Sequence, residues 1–257
     1  MAQGTSSRLE ASYRFPNNFQ LHLKARTSRL RGRFREVLRQ VLPSRVRGAK
    51  AAEAEIGHEL EDTAGHFRKH HWAFAENIWA HDFHGALVSH WPPDRFFEPI
   101  RYVTKAYDMA FIWSRAANSE PAGLGDFPAL AAAYRYLRSD EFCARVSDMC
   151  GDGARRQCGQ IILTRSYWGS NIIPHIDSSN ASHNVNMIFF IDGTGGLYGG
   201  GLGIWNDNEF QDPIFIPENL RNTCLMYDMS EGFFHGFPPM KFGSFRWTIN
   251  ATYVGAA

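Results

Sequence analysis

Beyond Gly151 the chain breaks into short runs of apolar, β-branched and aromatic residues: 158–166, 171–177, 184–191, 202–206, 213–216, 222–228, 232–237 and 244–254. Gly- or Pro-containing breaks separate most of them, above all 192–201 and 238–243. Eight short runs at turn-punctuated intervals, with no helical stretch between them, predict an all-β sandwich or barrel and argue against alternating βα units. Eight strands suit a double-stranded β-helix, the jelly-roll architecture that cupins also use. The preceding part of the chain reads as mainly helical. Residues 50–71 predict a helix, and 74–91 predict a strand and a short turn leading to Trp91-Pro92-Pro93. Phe96, Phe97, Ile100, Val103 and Ala106 fall at helical spacing, as do Phe127, Leu130, Tyr134 and Leu137, and then Phe142, Val146 and Met149. A loop with Pro121 and two glycines occupies 119–125. The expected fold class is therefore α+β, mainly β: a double-stranded β-helix (jelly roll) core buttressed by N-terminal helices.

A net charge of +1 conceals a strong asymmetry. Residues 24–50 hold ten Lys or Arg against one acid, Glu36, so this segment carries about +9 and the remainder about −8. Within it, 26–42 reads as a basic amphipathic helix, with Leu30, Phe34, Leu38, Val41 and Leu42 near one face. Pro43 and Gly48 end it. Such a helix packs its apolar stripe on the body, or makes peripheral contact with an anionic membrane. Nucleic acid is not the expected partner, because the arginines are not interleaved with stacking aromatics. No apolar run approaches the roughly 20 residues of a membrane span, and residues 1–20 have no secretory pattern. Cys143, Cys150, Cys158 and Cys224 form no CxxC pair and read as free thiols in a reducing compartment. The expected location is cytoplasmic, with peripheral placement at a membrane surface as the alternative. The sequence specifies no oligomeric state.

The chemistry-bearing residues lie among the eight runs. His175 and Asp177 are two apart, so on a regular strand both project from one face and can ligate one metal. His235 lies on a later run, which a rolled sheet can bring alongside. Two histidines and a carboxylate leave three coordination positions open, the arrangement of non-haem Fe(II) oxygenases. His-x-Asp alone is a weak signal; strand context, a distant His and a spaced Arg246-x-Thr248 sharpen it. His66 and His70 also stand at i, i+4, but no Cys or well-placed carboxylate completes a site there.

These residues resemble the Fe(II)/2-oxoglutarate-dependent dioxygenase superfamily, in particular its prolyl-4-hydroxylase-like branch. The likeness spans about 155–254: His175-x-Asp177, His235, Arg246-x-Thr248, the approach Arg165-Ser166-Tyr167-x-x-Gly169, and Gly199-Gly200-Gly201-Leu202 before a middle strand. The resemblance implies that His175, Asp177 and His235 hold Fe(II), that 2-oxoglutarate chelates it, and that O2 takes the last position. It implies that Arg246 grips the distal carboxylate of the cosubstrate, since a guanidinium fork matches a carboxylate. Thr248, Tyr167 or Asn186 would add hydrogen bonds. The implied reaction releases succinate and CO2 and hydroxylates an unactivated C–H. Asp177 is a carboxylate where halogenating relatives have a small residue, which favours hydroxylation over halogenation, with desaturation or ring closure still open. The implied organisation is an N-terminal extension over 1–72 and an oxygenase domain over 73–257, with helical support at 94–150 and the jelly-roll core at 155–254.

The expected substrate is a small molecule: an amino acid, a natural-product intermediate, or a saccharide or lipid-linked group. A protein side chain is the prolyl-type alternative. Arg165, Trp168 and Trp205 are the candidate substrate residues; a solvated strand arginine and core tryptophans, Trp247 among them, are the competing reading. A non-catalytic cupin-like jelly roll that binds metal or sugar is the reading from another class, and it gives Arg246 no role. An isomerase or cysteine-type dioxygenase would share the metal, but Arg246-x-Thr248 argues against it.

Overall fold

The computed structural model describes residues 54–102, 104–177 and 183–255. The lead-in and the basic helix expected over 26–42 lie outside the described residues. The eight anticipated runs are all strands, with bounds within two residues of expectation: β4 (Arg156–Tyr167), β5 (Asn171–His175), β6 (Val185–Gly193), β7 (Gly203–Trp205), β8 (Pro213–Phe215), β9 (Thr223–Asp228), β10 (Phe234–Phe237) and β11 (Phe245–Gly255). Three more precede them: β1 (Trp72–Glu76), β2 (Glu98–Arg101) and β3 (Lys105–Ser114).

The sheet runs β1-β9-β6-β11-β4-β3-β5-β10-β7-β8, with β2 paired to β3. Every pairing is antiparallel. The strands β9-β6-β11-β4 form one layer and β5-β10-β7-β8 the other, which is the double-stranded β-helix. β3 joins the layers: Asp108–Ser114 pair with β4, while Lys105 and Ala106 lie opposite Ile172 and Asn171 of β5.

Side-chain alternation sends the two faces of the first layer to different cores. Met187, Phe189, Cys224, Met226, Ile249 and Ala251 face outward and pack with the helices. Ile188, Phe190, Leu225 and Tyr227 face inward, against Leu202, Ile204 and Phe237 from the second layer. The helices are α1 (Ala64–His70), α2 (His81–Ser89), α3 (Pro128–Leu137) and α4 (Asp140–Cys150). Pro128 opens α3, where its missing N–H costs nothing. Ser139 caps α4 by accepting from the Phe142 N–H at 3.1 Å, and Gly151 ends it at φ +69°. Tyr253 Oη donates to the Leu137 carbonyl at 2.8 Å and ties α3 to β11. No helix among the described residues is long and apolar enough to cross a membrane.

Three local expectations are corrected. The helix read from Phe96, Phe97, Ile100, Val103 and Ala106 is a single 3-10 turn, Asp94–Phe96, followed by β2 and β3. Pro99 lies inside that run and lacks the N–H a helix interior needs, and Ala110 and Trp113 are buried beside β4, with Ala106 buried beside β5. The stretch 74–91 holds a helix, α2, after its strand, and 50–71 divides into a 3-10 segment, His58–Thr63, and α1.

Candidate metal centre and anion pocket

His175 ends β5 and lies directly opposite His235 in the β5–β10 pairing. Their ring centroids are 4.3 Å apart. Gly236 permits this approach: a Cβ there would stand 2.5 Å from the Ile172 carbonyl oxygen and 2.8 Å from Pro174 N. Asp177 reaches both imidazoles, with Oδ1 3.4 Å from His175 Nε2 and Oδ2 3.4 Å from His235 Nε2. One ligand atom from each of the three residues lies within 4.8 Å of the others.

Their protonation suits a metal. His175 Nδ1 donates to the Ile173 carbonyl at 3.0 Å, which leaves the Nε2 lone pair facing the cluster, buried and without a hydrogen-bond partner. Burial pushes His235 down to about 4 against the opposing pull of Asp177, so its imidazole is neutral near pH 7. Burial pushes the Asp177 carboxyl up, but the neighbouring imidazoles of His175 and His235 outweigh this and bring it to about 2. Two imidazoles and one carboxylate converge, a donor set that fits Fe(II).

Arg246 opens β11 on the inward face, opposite Ser166 of β4. It is 3 % exposed, and no carboxylate pairs with it among the described residues. Nη1 donates to the Gly200 carbonyl at 3.0 Å, Nη2 reaches Ser166 Oγ at 3.4 Å, and Nε is buried without a partner. The guanidinium lies 4.1 Å from the Phe237 ring centroid. Burial pulls it down to about 9. An uncompensated buried cation is expensive, and a carboxylate is the ligand its planar fork matches. Thr248 shares this face and meets Thr164 Oγ1 across the sheet. Gly200 adopts φ +95°, a backbone few other residues take, and so turns its carbonyl toward Arg246.

Sequence reasoning missed Tyr107. It stands on β3, half-buried, and burial raises its hydroxyl pKa while the charges of Arg246 and Asp177 pull in opposite directions. Arg246 and Asp177 thus both lie within electrostatic reach of Tyr107. The alternation of Lys105, Tyr107 and Met109 was the available signal, and the helical reading of 94–106 obscured it.

The other candidates fall elsewhere. Asn186 faces inward, but its Nδ2 donates to Tyr227 Oη at 2.7 Å, beside the ligand cluster. Tyr167 and Arg165 alternate with Thr164 and Ser166 along β4 and so occupy the face away from Arg246. Arg165 pairs with Asp94 and, Nε to Oδ2 at 3.1 Å, with Asp108, and its guanidinium sits over the Phe97 and Tyr167 rings. Trp205 is buried, donates Nε1 to the Gly236 carbonyl at 3.1 Å and packs on Phe210, while Ile204 faces inward. Trp168, in the β4–β5 turn, meets Phe242 edge-on at 5.5 Å. Trp247 stacks on Trp91 at 5.1 Å on the outer face.

No family model matches the sequence, and no curated protein matches it significantly. Solved structures do match the fold. An oxidoreductase of the 2OG-Fe(II) oxygenase family from Burkholderia pseudomallei aligns over 80% of this chain and 96% of its own, with TM-score 0.55 and 15% identity. A Trichoplax adhaerens prolyl hydroxylase, in complex with a hypoxia inducible factor peptide fragment, covers 76% of this chain and 89% of its own, with TM-score 0.58 and 13% identity. HygX from Streptomyces hygroscopicus, with nickel, 2-oxoglutarate and hygromycin B bound, covers 75% and 86%, with TM-score 0.51 and 8% identity. Together with the strand order, these likenesses show that the chain has the double-stranded β-helix fold on which Fe(II)/2-oxoglutarate oxygenases are built.

Proposed function

We propose that this chain is an Fe(II)- and 2-oxoglutarate-dependent oxygenase that hydroxylates an unactivated C–H bond of a small molecule. The observation that carries the reading is one inward face holding both a His175–Asp177–His235 cluster and the buried, carboxylate-free Arg246. His175 Nε2, His235 Nε2 and Asp177 would hold the metal. Bound Fe(II), with 2-oxoglutarate and O2, supplies the oxidative decarboxylation that yields succinate and CO2 and the oxidising power that breaks a C–H bond. Arg246 grips the distal carboxylate of the cosubstrate through the fork that Gly200 and Ser166 leave unfilled. Tyr107, within electrostatic reach of Arg246 and Asp177, and Thr248, on the same face as Arg246, would offer hydroxyls to the cosubstrate, and the apolar residues Ile188, Phe190 and Phe237 would exclude water. Arg246 is set apart from a merely metal-binding jelly roll by its unmet charge, which such a module would not need. Within this reading, 73–257 carries the oxygenase and 1–72 is its extension. The small-molecule substrate has a parallel in HygX, and the peptide bound to the Trichoplax enzyme makes a protein side chain the alternative to screen.

The test is anaerobic reconstitution with Fe(II) and 2-oxoglutarate, watching for the weak visible metal-to-ligand charge-transfer band. The band is expected in the wild type, lost in His175→Ala, and formed in Arg246→Ala only at far higher cosubstrate concentration. Folded, metal-loaded wild type without a band overturns the reading. Succinate release across panels of small molecules and peptides then separates the substrate classes.

A further inference from the structure

Tyr227 is a buried side chain for which the proposed reaction has no stated use. It stands on β9, directly opposite Asn186 of β6. Its ring lies 4.9 Å from that of His235, and its hydroxyl lies 3.4 Å from Asp177 Oδ2. It thus touches two of the three residues of the cluster. A phenol ordinarily titrates at about 10, so its hydroxyl carries a proton at neutral pH.

The direction of that proton follows from its partners. Asn186 Nδ2 is a donor and sits 2.7 Å from the phenol oxygen, so the oxygen accepts there. The O–H is left to point at its remaining partner, Asp177 Oδ2. A carboxylate has two oxygens of equal basicity, and the two imidazoles stand equally far from them, His175 Nε2 3.4 Å from Oδ1 and His235 Nε2 3.4 Å from Oδ2. A hydroxyl held on Oδ2 makes that oxygen the weaker donor and leaves Oδ1 the stronger. We infer that Tyr227, aimed by Asn186, is a positioning residue that fixes the Asp177 carboxylate so that it ligates through one oxygen, leaving coordination positions for cosubstrate and O2. The inference rests on the metal reading above. Partners of this kind, behind the ligands, orient them and typically contribute 10- to 100-fold in metal affinity.

The test is Co(II) titration of the metal-free protein, followed by the visible d–d absorption of the bound ion and by thermal unfolding. Tyr227→Phe keeps the ring against His235 and removes only the hydroxyl. It is expected to bind Co(II) about 10- to 100-fold more weakly, with a changed d–d band. The metal-free unfolding temperature is expected to stay within a few degrees of the wild type, which a merely structural role for the hydroxyl does not explain. Asn186→Ala leaves the ring untouched and is expected to weaken Co(II) binding several-fold in the same direction. If Tyr227→Phe does not fold, this second variant carries the test. A Co(II) affinity within twofold of the wild type and an unchanged band overturn the inference. His175→Ala separates the two readings: loss of binding there with no effect at Tyr227 sinks only the positioning role, while wild-type affinity in His175→Ala sinks the metal reading itself.

Discussion

A guanidinium buried as Arg246 is, with no carboxylate beside it, destabilises the ligand-free fold. Arg165, next door on β4 but on the opposite face, is equally buried and is paired with Asp94 and Asp108. The two arginines should therefore respond oppositely to the same change. Arg165→Met takes a partner from Asp94 and leaves buried Asp108 with Arg101 alone, and is expected to cost up to about 3 kcal/mol, read as a clear drop in unfolding temperature. Arg246→Met removes an unpaired charge, so the ligand-free unfolding temperature should hold within a few degrees. Its 2-oxoglutarate affinity should fall at least about 30-fold, the equivalent of roughly 2 kcal/mol for a buried charge pair losing one partner. Equal destabilisation by both changes would count against an anion pocket at Arg246. His235 gives a pH signature in the metal-free protein. Its folded value of about 4 lies below the ordinary imidazole value, so between those limits the unfolded chain binds a proton that the folded chain refuses. Stability therefore falls as pH drops through that window, by up to about 1.4 kcal/mol per pH unit for one proton. Denaturant midpoints measured from pH 7 to pH 4 should show the slope, and His235→Gln should flatten it.

At the scale of elements, the strands were legible and β3 was not. β4 to β11 announce themselves because each has a buried face and a turn at its end, and turn residues are local chemistry. β3 hides its alternation, since Asp108, on the buried face with Ala106 and Ala110, is held by Arg101 and by Arg165 far along the chain. That pairing decides whether a carboxylate belongs inside, and no window of sequence contains it. The same limit hid the face on which Arg165 and Tyr167 stand. Whether a residue of β4 faces Arg246 or the helices depends on a register that one position reverses. The cluster of His175, Asp177 and His235 was readable because His-x-Asp keeps a spacing of two at the end of β5, and Arg246 and Thr248 keep the same spacing along β11. Gly200 shows what a loop contributes. Gly200→Ala puts a Cβ on a backbone at φ +95°, 2.7 Å from Met240 Cε. It is expected to cost about 1–3 kcal/mol of stability. Because the Gly200 carbonyl holds Arg246, 2-oxoglutarate binding should weaken as well, as cosubstrate titration of the charge-transfer band would show. Loss of stability with unchanged cosubstrate affinity would separate the loop from the pocket.

At the scale of the molecule, the jelly roll is backed by a helical layer that draws on chain well before β1. Ile56, Leu60 and Phe67 belong to the same core as α3, α4 and the outward face of β11, with exposures of 4%, 1% and 2%. Arg145 of α4 is anchored there too: its side chain donates to Glu61 Oε1 at 2.5 Å and to the carbonyls of Ile56 and Gly57 at 3.2 and 3.0 Å. A division at 72/73, which composition favours, would run through this core. A chain beginning at residue 73 would lose three side chains whose burial is worth about 1.5–3 kcal/mol each. That sum rivals the roughly 5–15 kcal/mol by which a whole domain is stable. It would also strip Arg145 of Glu61 and of the Ile56 and Gly57 carbonyls, leaving it Tyr136 Oη, and uncover the apolar side of α4. Such a chain is expected to be insoluble or to unfold many degrees below the full protein. A chain beginning at residue 54 keeps every one of these contacts. It should unfold within a few degrees of the full protein and bind Fe(II) and 2-oxoglutarate, because every partner described for the ligand cluster and Arg246 lies within 54–255. A chain from 73 as stable as the full protein would show that the segment 54–71 lies on the core without supporting it. Loss of cosubstrate binding in the chain from 54 would assign the basic segment a part in the site.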